Sequence, residues 1–196
     1  MCNIEGSVYK GTLDGRDYAI KLMKGDISEE LKILQKVNHT NLVKLEGVCV
    51  SSEGQSYLVY EYIENSSLNT WLHDPESVQN MTAIGWSSAS LPWKTRLQVG
   101  LDVANGLQYI HEHTTPSVVH KDIKSSNILL DGKFKAKIAN FGMAKSSINA
   151  LTNHIMGTQG CMAPEYLADG FVSPKLDVFA FGVVLLEMIY GKEAIV

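Results

Sequence analysis

His120-Lys-Asp-Ile-Lys-Ser-Ser-Asn127 is a polar stretch between two short apolar runs, Val118-Val119 and Ile128-Leu-Leu130, which favour strands. A His-x-Asp triplet alone is a weak signal, and its simplest interpretation is an ordinary polar loop before a strand. Lys124 two residues after Asp122, with an Asn at plus five, makes the pattern much more specific. The loop is therefore the first candidate for a functional site.

The residues before this loop have the short alternating runs of an antiparallel sheet. Ser7-Val-Tyr-Lys-Gly11 and Asp17-Tyr-Ala-Ile-Lys21 predict a hairpin. From Ser28, a candidate N-cap, the apolar spacing becomes helical. Two more strand-like runs follow, at Leu42 to Val50 and at Tyr57 to Tyr62. The first third of the chain is thus predicted to be a small antiparallel sheet with one helix.

The rest of the chain is predicted to be mainly helical. Residues 73–92 are rich in Ser, Asn, Pro and Gly without periodicity, which indicates a surface loop. Lys94 to His113 predicts an amphipathic helix with an inward face; that face comprises Leu97, Leu101, Ala104, Leu107 and Ile110. Val178 to Tyr190 is too short to span a bilayer and contains Glu187, so we expect a buried core helix.

Composition limits the possible functions. The 196 residues, 45% hydrophobic and 19% charged, suffice for one large domain or two lobes around a cleft. A net charge of −4 argues against broad attraction to nucleic acid or anionic lipid. Cys2, Cys49 and Cys161 are odd in number and far apart, as expected of reduced thiols, and we expect no secretory signal.

Four motifs in order resemble the protein-kinase signature set. They are Tyr18-Ala-Ile-Lys21, the loop 120–127, Asn140-Phe-Gly142 and Ala163-Pro-Glu165. Two longer phrases are similar to the plant LysM-domain receptor-like kinases, namely Leu101-Asp-Val-Ala-Asn-Gly-Leu-Gln-Tyr-Ile110 and Lys135-Ala-Lys-Ile-Ala-Asn-Phe141. The resemblance covers essentially the whole chain.

The resemblance implies an α+β, bilobal protein-kinase-like fold, truncated at both ends. Residues 1–62 would form the N-lobe, with a small antiparallel sheet and one helix. Residues 63–196 would form a partial, mainly helical C-lobe. Within the C-lobe, the implied segments are the insert loop 73–92, the catalytic loop 120–127 and the activation segment 140–165.

The resemblance also implies catalytic roles. Lys21 would hold nucleotide phosphates, fixed by Glu30, which stands eleven residues before Asn41 as the paired Glu does in the family. Asp122 would accept or orient the proton of a substrate hydroxyl, and Lys124 would steady the transferring phosphate.

The implied cofactors are ATP and Mg²⁺, both held weakly. The nucleotide-binding residues would be Gly6, Val8, Ala19, Lys21, Tyr60, Glu61, Tyr62 and Asn127. The metal ligands would be Asn127 and Asn140. Asp177 matches the family's buried Asp that supports the catalytic loop, with a helix N-cap as the alternative.

Three departures from the family pattern matter. Asn140 replaces the Asp that supplies an anionic Mg²⁺ ligand, which removes a charge that stabilises phosphoryl transfer. In the phosphate-covering loop only Gly6 remains, because Asn3 and Met1 stand where two more glycines are expected. Lys121 replaces an Arg, so a bidentate clamp on a phosphorylated loop is lost.

The leading hypothesis is a catalytically impaired receptor-like Ser/Thr kinase domain that acts in signalling as a co-receptor or scaffold. Its partner would be another receptor-like kinase, with no nucleic acid, and it would meet a membrane only through segments absent from this chain. The implied location is cytoplasmic, at the cytoplasmic face of the plasma membrane in a full-length receptor. The alternatives are a weakly active Ser/Thr kinase and a truncated, non-functional product.

Overall fold

The computed structural model describes residues 7–23, 25–51, 54–81, 91–146, 150–152 and 154–194. Its first part is a four-stranded antiparallel sheet in the order β1-β2-β4-β3. The strands are β1 (Val8–Leu13), β2 (Arg16–Met23), β3 (Leu45–Val50) and β4 (Ser56–Glu61). The predicted small antiparallel sheet is confirmed.

The predicted hairpin is β1 and β2. Asp14 and Gly15 connect the strands with φ angles of 51° and 76°. Two successive left-handed residues twist with the strands, and Asp-Gly adopts that conformation readily. The turn fixes a register in which Val8 lies opposite Lys21.

Helix α1 (Ser28–Leu34) packs beside the sheet, but the predicted N-cap at Ser28 was wrong. Ser28 is the first helical residue, and the carboxylate of Asp26 accepts its backbone N–H at 2.9 Å. Asp favours this local turn because its side chain can accept a backbone hydrogen bond two residues on.

The strand predicted from Leu42 begins only at Leu45. Residues 41–43 instead pair with Ile138, since Val43 donates to its carbonyl at 2.9 Å and Ile138 donates to Asn41 at 2.8 Å. This crossing ties the sheet to the rest of the chain. A single core cluster spans both parts, from Leu58 in β4 to Val184 near the C-terminus.

The insert predicted as a loop over 73–92 is partly helical. Helix α2 (Leu68–His73) and helix α3 (Pro75–Met81) follow one another, and residues 82–90 lie outside the described residues. Local capping explains both helices: the hydroxyl of Ser67 accepts from Thr70 N, and the carboxylate of Asp74 accepts from Ser77 N. Helix α2 ends where the predicted loop begins, so helix α3, of less than two turns, is the one that the absence of hydrophobic periodicity concealed.

Helix α4 (Trp93–Glu112) was predicted correctly in extent but only partly in orientation. Leu107 and Ile110 are buried as expected, whereas Leu97 and Leu101 are each 57% exposed. The buried face instead continues through Val99 and Val103. Both stripes satisfy a period of 3.6, so spacing alone did not separate them.

The apolar run predicted as a buried core helix lies within helix α6 (Lys175–Tyr190), which buries only one face. Ala180, Val184 and Met188 are buried there at four-residue steps, while Leu186 and Ile189 are more than half exposed. No helix in the described part of the chain has the length and apolarity that crossing a membrane requires.

Short elements complete the fold. Strand β5 (Ile128–Leu130), which the sequence predicted, pairs with β6 (Ala136–Ile138), and β7 (Ala150–Leu151) pairs with β8 (Phe171–Val172). Helix α5 (Pro164–Asp169) precedes β8. Val118-Val119 is not a strand, because only Val119 makes a bridge, to Lys145. The sheet and the helical part together are an α+β fold with a cleft between them.

Candidate active site

A cavity of about 630 Å³ lies between the sheet and the helical part. Seven of the eight predicted nucleotide-binding residues line it, namely Val8, Ala19, Lys21, Tyr60, Glu61, Tyr62 and Asn127. Gly6 lies outside the described residues. Asn140 also lines the cavity. The structure thus brings these residues together, and their role in nucleotide binding stays a prediction.

Sequence reasoning missed other residues of the lining: Val43, Ile63, Glu64, Ser66, Leu129 and Ala139. Leu129 had a usable signal. It lies between Ile128 and Leu130, which are fully buried, so strand alternation directs it to the opposite face, toward the cavity. No local pattern predicts that Val43 lines the cavity, because its position follows from its hydrogen bond to the distant Ile138.

Lys21 is the buried cation of the cleft. Strand β2 places its Nζ atom 3.5 Å from Glu30 Oε1, and both side chains are more than 90% buried. The hydroxyl of Tyr60 donates to the same carboxylate oxygen at 3.4 Å, and burial raises the pKa of Tyr60 far above its usual value. Glu29 is exposed and pairs with Lys32 at 2.7 Å. The ion pair therefore joins Lys21 to Glu30, the carboxylate that the sequence singled out.

Asn140 connects this pair to the loop 120–127. Its Oδ1 accepts from Lys21 Nζ at 3.1 Å, and its Nδ2 donates to Asn127 Oδ1 at 3.4 Å. Its backbone is left-handed, with φ 64° and ψ 73°, a conformation that Asn tolerates better than most residues. The next residue, Phe141, is buried and packs edge-on against the ring of His120 at 4.9 Å.

Asp122 is held by groups on three sides. Asn127 Nδ2 donates to its Oδ2 at 2.8 Å, and the hydroxyl of Thr158 donates to its Oδ1 at 2.6 Å. Lys124 Nζ lies 3.5 Å from its Oδ2 and donates to the hydroxyl of Thr158 at 2.9 Å. A carboxylate beside a hydroxyl and a lysine has the geometry to orient a hydroxyl proton.

The loop that carries Asp122 is anchored from helix α6. The Asp177 carboxylate accepts the backbone N–H groups of His120 and Lys121, each at 2.8 Å, and His111 Nε2 lies 2.8 Å from the same carboxylate. Asp177 lies in the first turn of α6, whereas the N-cap position is Pro174. Support of the catalytic loop, rather than helix capping, is therefore what its contacts show.

Lys121 faces helix α5. Its Nζ lies 5.4 Å from the centroid of the Tyr166 ring, a cation–π contact, and its φ is 70°. The side chain is therefore directed onto an aromatic ring of helix α5.

The sequence pattern described as "Protein kinase domain" matches residues 5–196. The chain belongs to the protein kinase domain family. This kinase domain is 47% identical to Protein LYK5 of Arabidopsis thaliana over 98% of its length, and 49% identical to Chitin elicitor receptor kinase 1 of the same plant over 97%. LysM domain receptor-like kinase 3 of Medicago truncatula is 46% identical over 97%. The kinase domain spans less than a third of the length of these relatives, covering 28%, 30% and 30% of them.

The predicted resemblance to the LysM receptor-like kinases is thereby confirmed. The kinase domain is a receptor-like protein kinase domain related to them. Protein kinases use ATP with Mg²⁺, which in this family is held by an Asp and an Asn of the cleft.

The residues of this kinase domain fit Mg²⁺ poorly. Mg²⁺ prefers carboxylate and phosphate oxygens, and the two predicted ligands, Asn127 and Asn140, are neutral amides. The side-chain oxygen of each already accepts a hydrogen bond. Within the described ranges no three His, Cys, Asp or Glu side chains form a group that could hold a metal ion.

Proposed function

We propose that this kinase domain binds ATP in its cleft, transfers phosphoryl groups weakly or not at all, and acts in signalling as a co-receptor or scaffold. The observation that carries the proposal is Asn140, a neutral residue that lines the cleft and accepts a hydrogen bond from Lys21. Losing several kcal/mol of charge stabilisation in the transition state corresponds to roughly three decades in rate. ATP affinity depends less on that charge, because Lys21 and the apolar lining remain.

The names of the relatives support the signalling context. Of the three relatives reported above, two are called receptor kinases or receptor-like kinases, and one of these is named for a chitin elicitor. We propose that this domain works on the cytoplasmic face of the plasma membrane, in a receptor that senses an oligosaccharide. Its protein partner would be another receptor-like kinase, and contact with the membrane would come from segments outside this chain.

ATP binding is tested by thermal shift on the 196-residue chain. A ligand at a hundredfold its dissociation constant stabilises a protein by about 2.7 kcal/mol. We expect a clear shift with ATP that disappears in Lys21→Ala, because that substitution removes the buried cation of the cleft. The matched control is Lys36→Ala, at an exposed position after helix α1. A folded wild-type chain with no shift at any ATP concentration would refute nucleotide binding.

Impaired transfer is tested by comparing the wild type with Asn140→Asp in a phosphotransfer assay with Mg²⁺. We expect the substitution to raise the rate by at least about a hundredfold, because it restores an anionic ligand. Equal rates in the two proteins would show that Asn140 is not what limits transfer.

The second candidate is a weakly active Ser/Thr kinase. The Lys21–Glu30 ion pair and the hydrogen-bonded Asp122 favour it, since both are arranged as phosphoryl transfer to a hydroxyl needs. Mg²⁺-dependent phosphate transfer by the wild type that vanishes in Asp122→Ala would establish this candidate.

A further inference from the structure

The side-chain amide of Asn140 bridges two groups of the cleft by hydrogen bonds of opposite direction. Its oxygen accepts from Lys21 at 3.1 Å, and its nitrogen donates to Asn127 Oδ1 at 3.4 Å. A carboxylate at position 140 could accept from Lys21 but has no hydrogen to donate to Asn127. Its second oxygen would face another oxygen, an arrangement that becomes favourable only when a cation lies between them.

The charges around the two amides are already balanced. Lys21 is paired with Glu30, and Lys124 lies beside Asp122. Two cations and two carboxylates cancel, so the protein adds no net negative charge here to the charge that the phosphates of a nucleotide would bring to a divalent ion. Mg²⁺ also releases its bound water reluctantly, and two neutral amide oxygens are poor ligands with which to replace that water.

The NH₂ group of Asn140 still has a hydrogen to offer. It carries two hydrogens, and among the residues that the structure describes only Asn127 Oδ1 accepts one of them. The second hydrogen and the Lys21 ammonium, both at the cavity wall, are donors suited to phosphate oxygens.

We propose that this cleft binds a nucleoside di- or triphosphate in its metal-free form, with the Asn140 amide in place of the divalent ion as the link between the Lys21 pair and Asn127. The proposal rests on the nucleotide binding proposed above and adds the ionic form of the ligand. Lys21 meets the phosphates directly, and Asn140 is a binding residue rather than a damaged metal ligand.

The experiment is isothermal titration of the 196-residue chain with ADP and with ATP, once in excess EDTA and once in excess Mg²⁺. We expect the wild-type dissociation constants in the two conditions to agree within about threefold. In Asn140→Asp we expect weaker nucleotide binding in EDTA, because a carboxylate oxygen would then face Asn127 Oδ1 with no cation between them. Mg²⁺ should lower the dissociation constant of this variant by at least about tenfold, because the ion can lie between the two oxygens.

Asn38→Asp is the control, since it makes the same change of charge at an exposed position, where the backbone N–H donates to the hydroxyl of Tyr109. It should behave as the wild type. Wild-type binding that requires Mg²⁺ would overturn this inference and leave nucleotide binding intact, whether or not the Asp variant folds. No binding in either condition would overturn both proposals.

Discussion

The carboxylate of Asp177 accepts a hydrogen bond of 2.8 Å from the backbone N–H of His120, 57 positions earlier in the chain. The next N–H, that of Lys121, donates to the other oxygen of the same carboxylate at 2.8 Å. Asp177 is fully buried. If its carboxylate were removed, no water would be there to accept hydrogen bonds from the two N–H groups. The shape of the loop that presents Asp122 is thus fixed from helix α6.

Asp177→Asn should lower the free energy of unfolding by about 2–4 kcal/mol, because the new NH₂ group faces a backbone N–H and leaves a buried donor unpaired. Urea denaturation measures the loss. Asp169→Asn, at an exposed position in helix α5, is the matched control and should change stability by less than about 0.5 kcal/mol. Equal losses of unfolding free energy in the two variants would show that the buried Asp177 contacts stabilise the fold no more than an exposed carboxylate does.

Glu30→Gln should reduce the ATP-dependent thermal shift, since a neutral amide no longer holds the ammonium group of Lys21 in the cleft. We expect affinity for ATP to fall by roughly tenfold, the equivalent of one buried charge-assisted contact. Glu29→Gln is the control one residue away. Its carboxylate is exposed and, among the residues that the structure describes, pairs with Lys32 alone, so the shift should stay as in the wild type. A larger effect at Glu29 would contradict the assignment.

His120 should make the fold less stable as the pH is lowered below about 6.5. Its Nε2 donates to the Ala139 carbonyl at 3.0 Å and its Nδ1 accepts from Asp122 N–H at 3.3 Å, so the buried ring is neutral. Burial lowers the pKa of His120 below its ordinary value of 6.5, with the nearby carboxylate of Asp177 as a smaller, opposing influence. The unfolded chain therefore binds a proton at a pH where the folded chain does not, and stability falls as the pH drops from 6.5 toward the folded pKa.

Urea denaturation between pH 7.5 and 5.5 measures this effect. The wild type should lose up to about 1.4 kcal/mol per pH unit more than His120→Gln, whose side chain keeps one donor and one acceptor but does not titrate. If the two proteins lose stability in parallel, the pH dependence belongs to other groups.

Gly106→Ala and Gly182→Ala should change stability in opposite directions, although both lie inside helices. A Cβ atom at Gly106 would meet Ile138 Cδ1 at 3.0 Å and the Asn41 carbonyl at 3.1 Å. The resulting crowding at the junction of α4 and β6 should cost about 1–3 kcal/mol. A Cβ atom at Gly182 would meet no described atom of another element within 4 Å, so the gain in helix propensity should stabilise by about 0.5–1 kcal/mol. Thermal melts of the two variants measure both, and stabilisation by Gly106→Ala would refute the tight packing.

Local patterns predicted much of the fold. The Asp14-Gly15 hairpin, the strands around it and helix α4 follow from alternation, turn chemistry and helical spacing, which act between near neighbours in sequence. The same reasoning was wrong about the inward face of α4, because Leu97 and Leu101 fit the helical period as well as Val99 and Val103 do. Which stripe is buried depends on what packs against it, and that is a long-range property.

The sequence by itself determined which chemical groups this kinase domain has: the Lys, Glu and Asp of the motifs in their order, and an uncharged Asn140. Only the tertiary structure decided what those groups contact. The link from Lys21 through Asn140 to Asn127 joins side chains separated by up to 119 positions, and the anchor of His120 on Asp177 spans 57. Hydrogen bonds act over about 3 Å, so partners so distant in sequence are selected by how the sheet and helices pack, which no local pattern encodes.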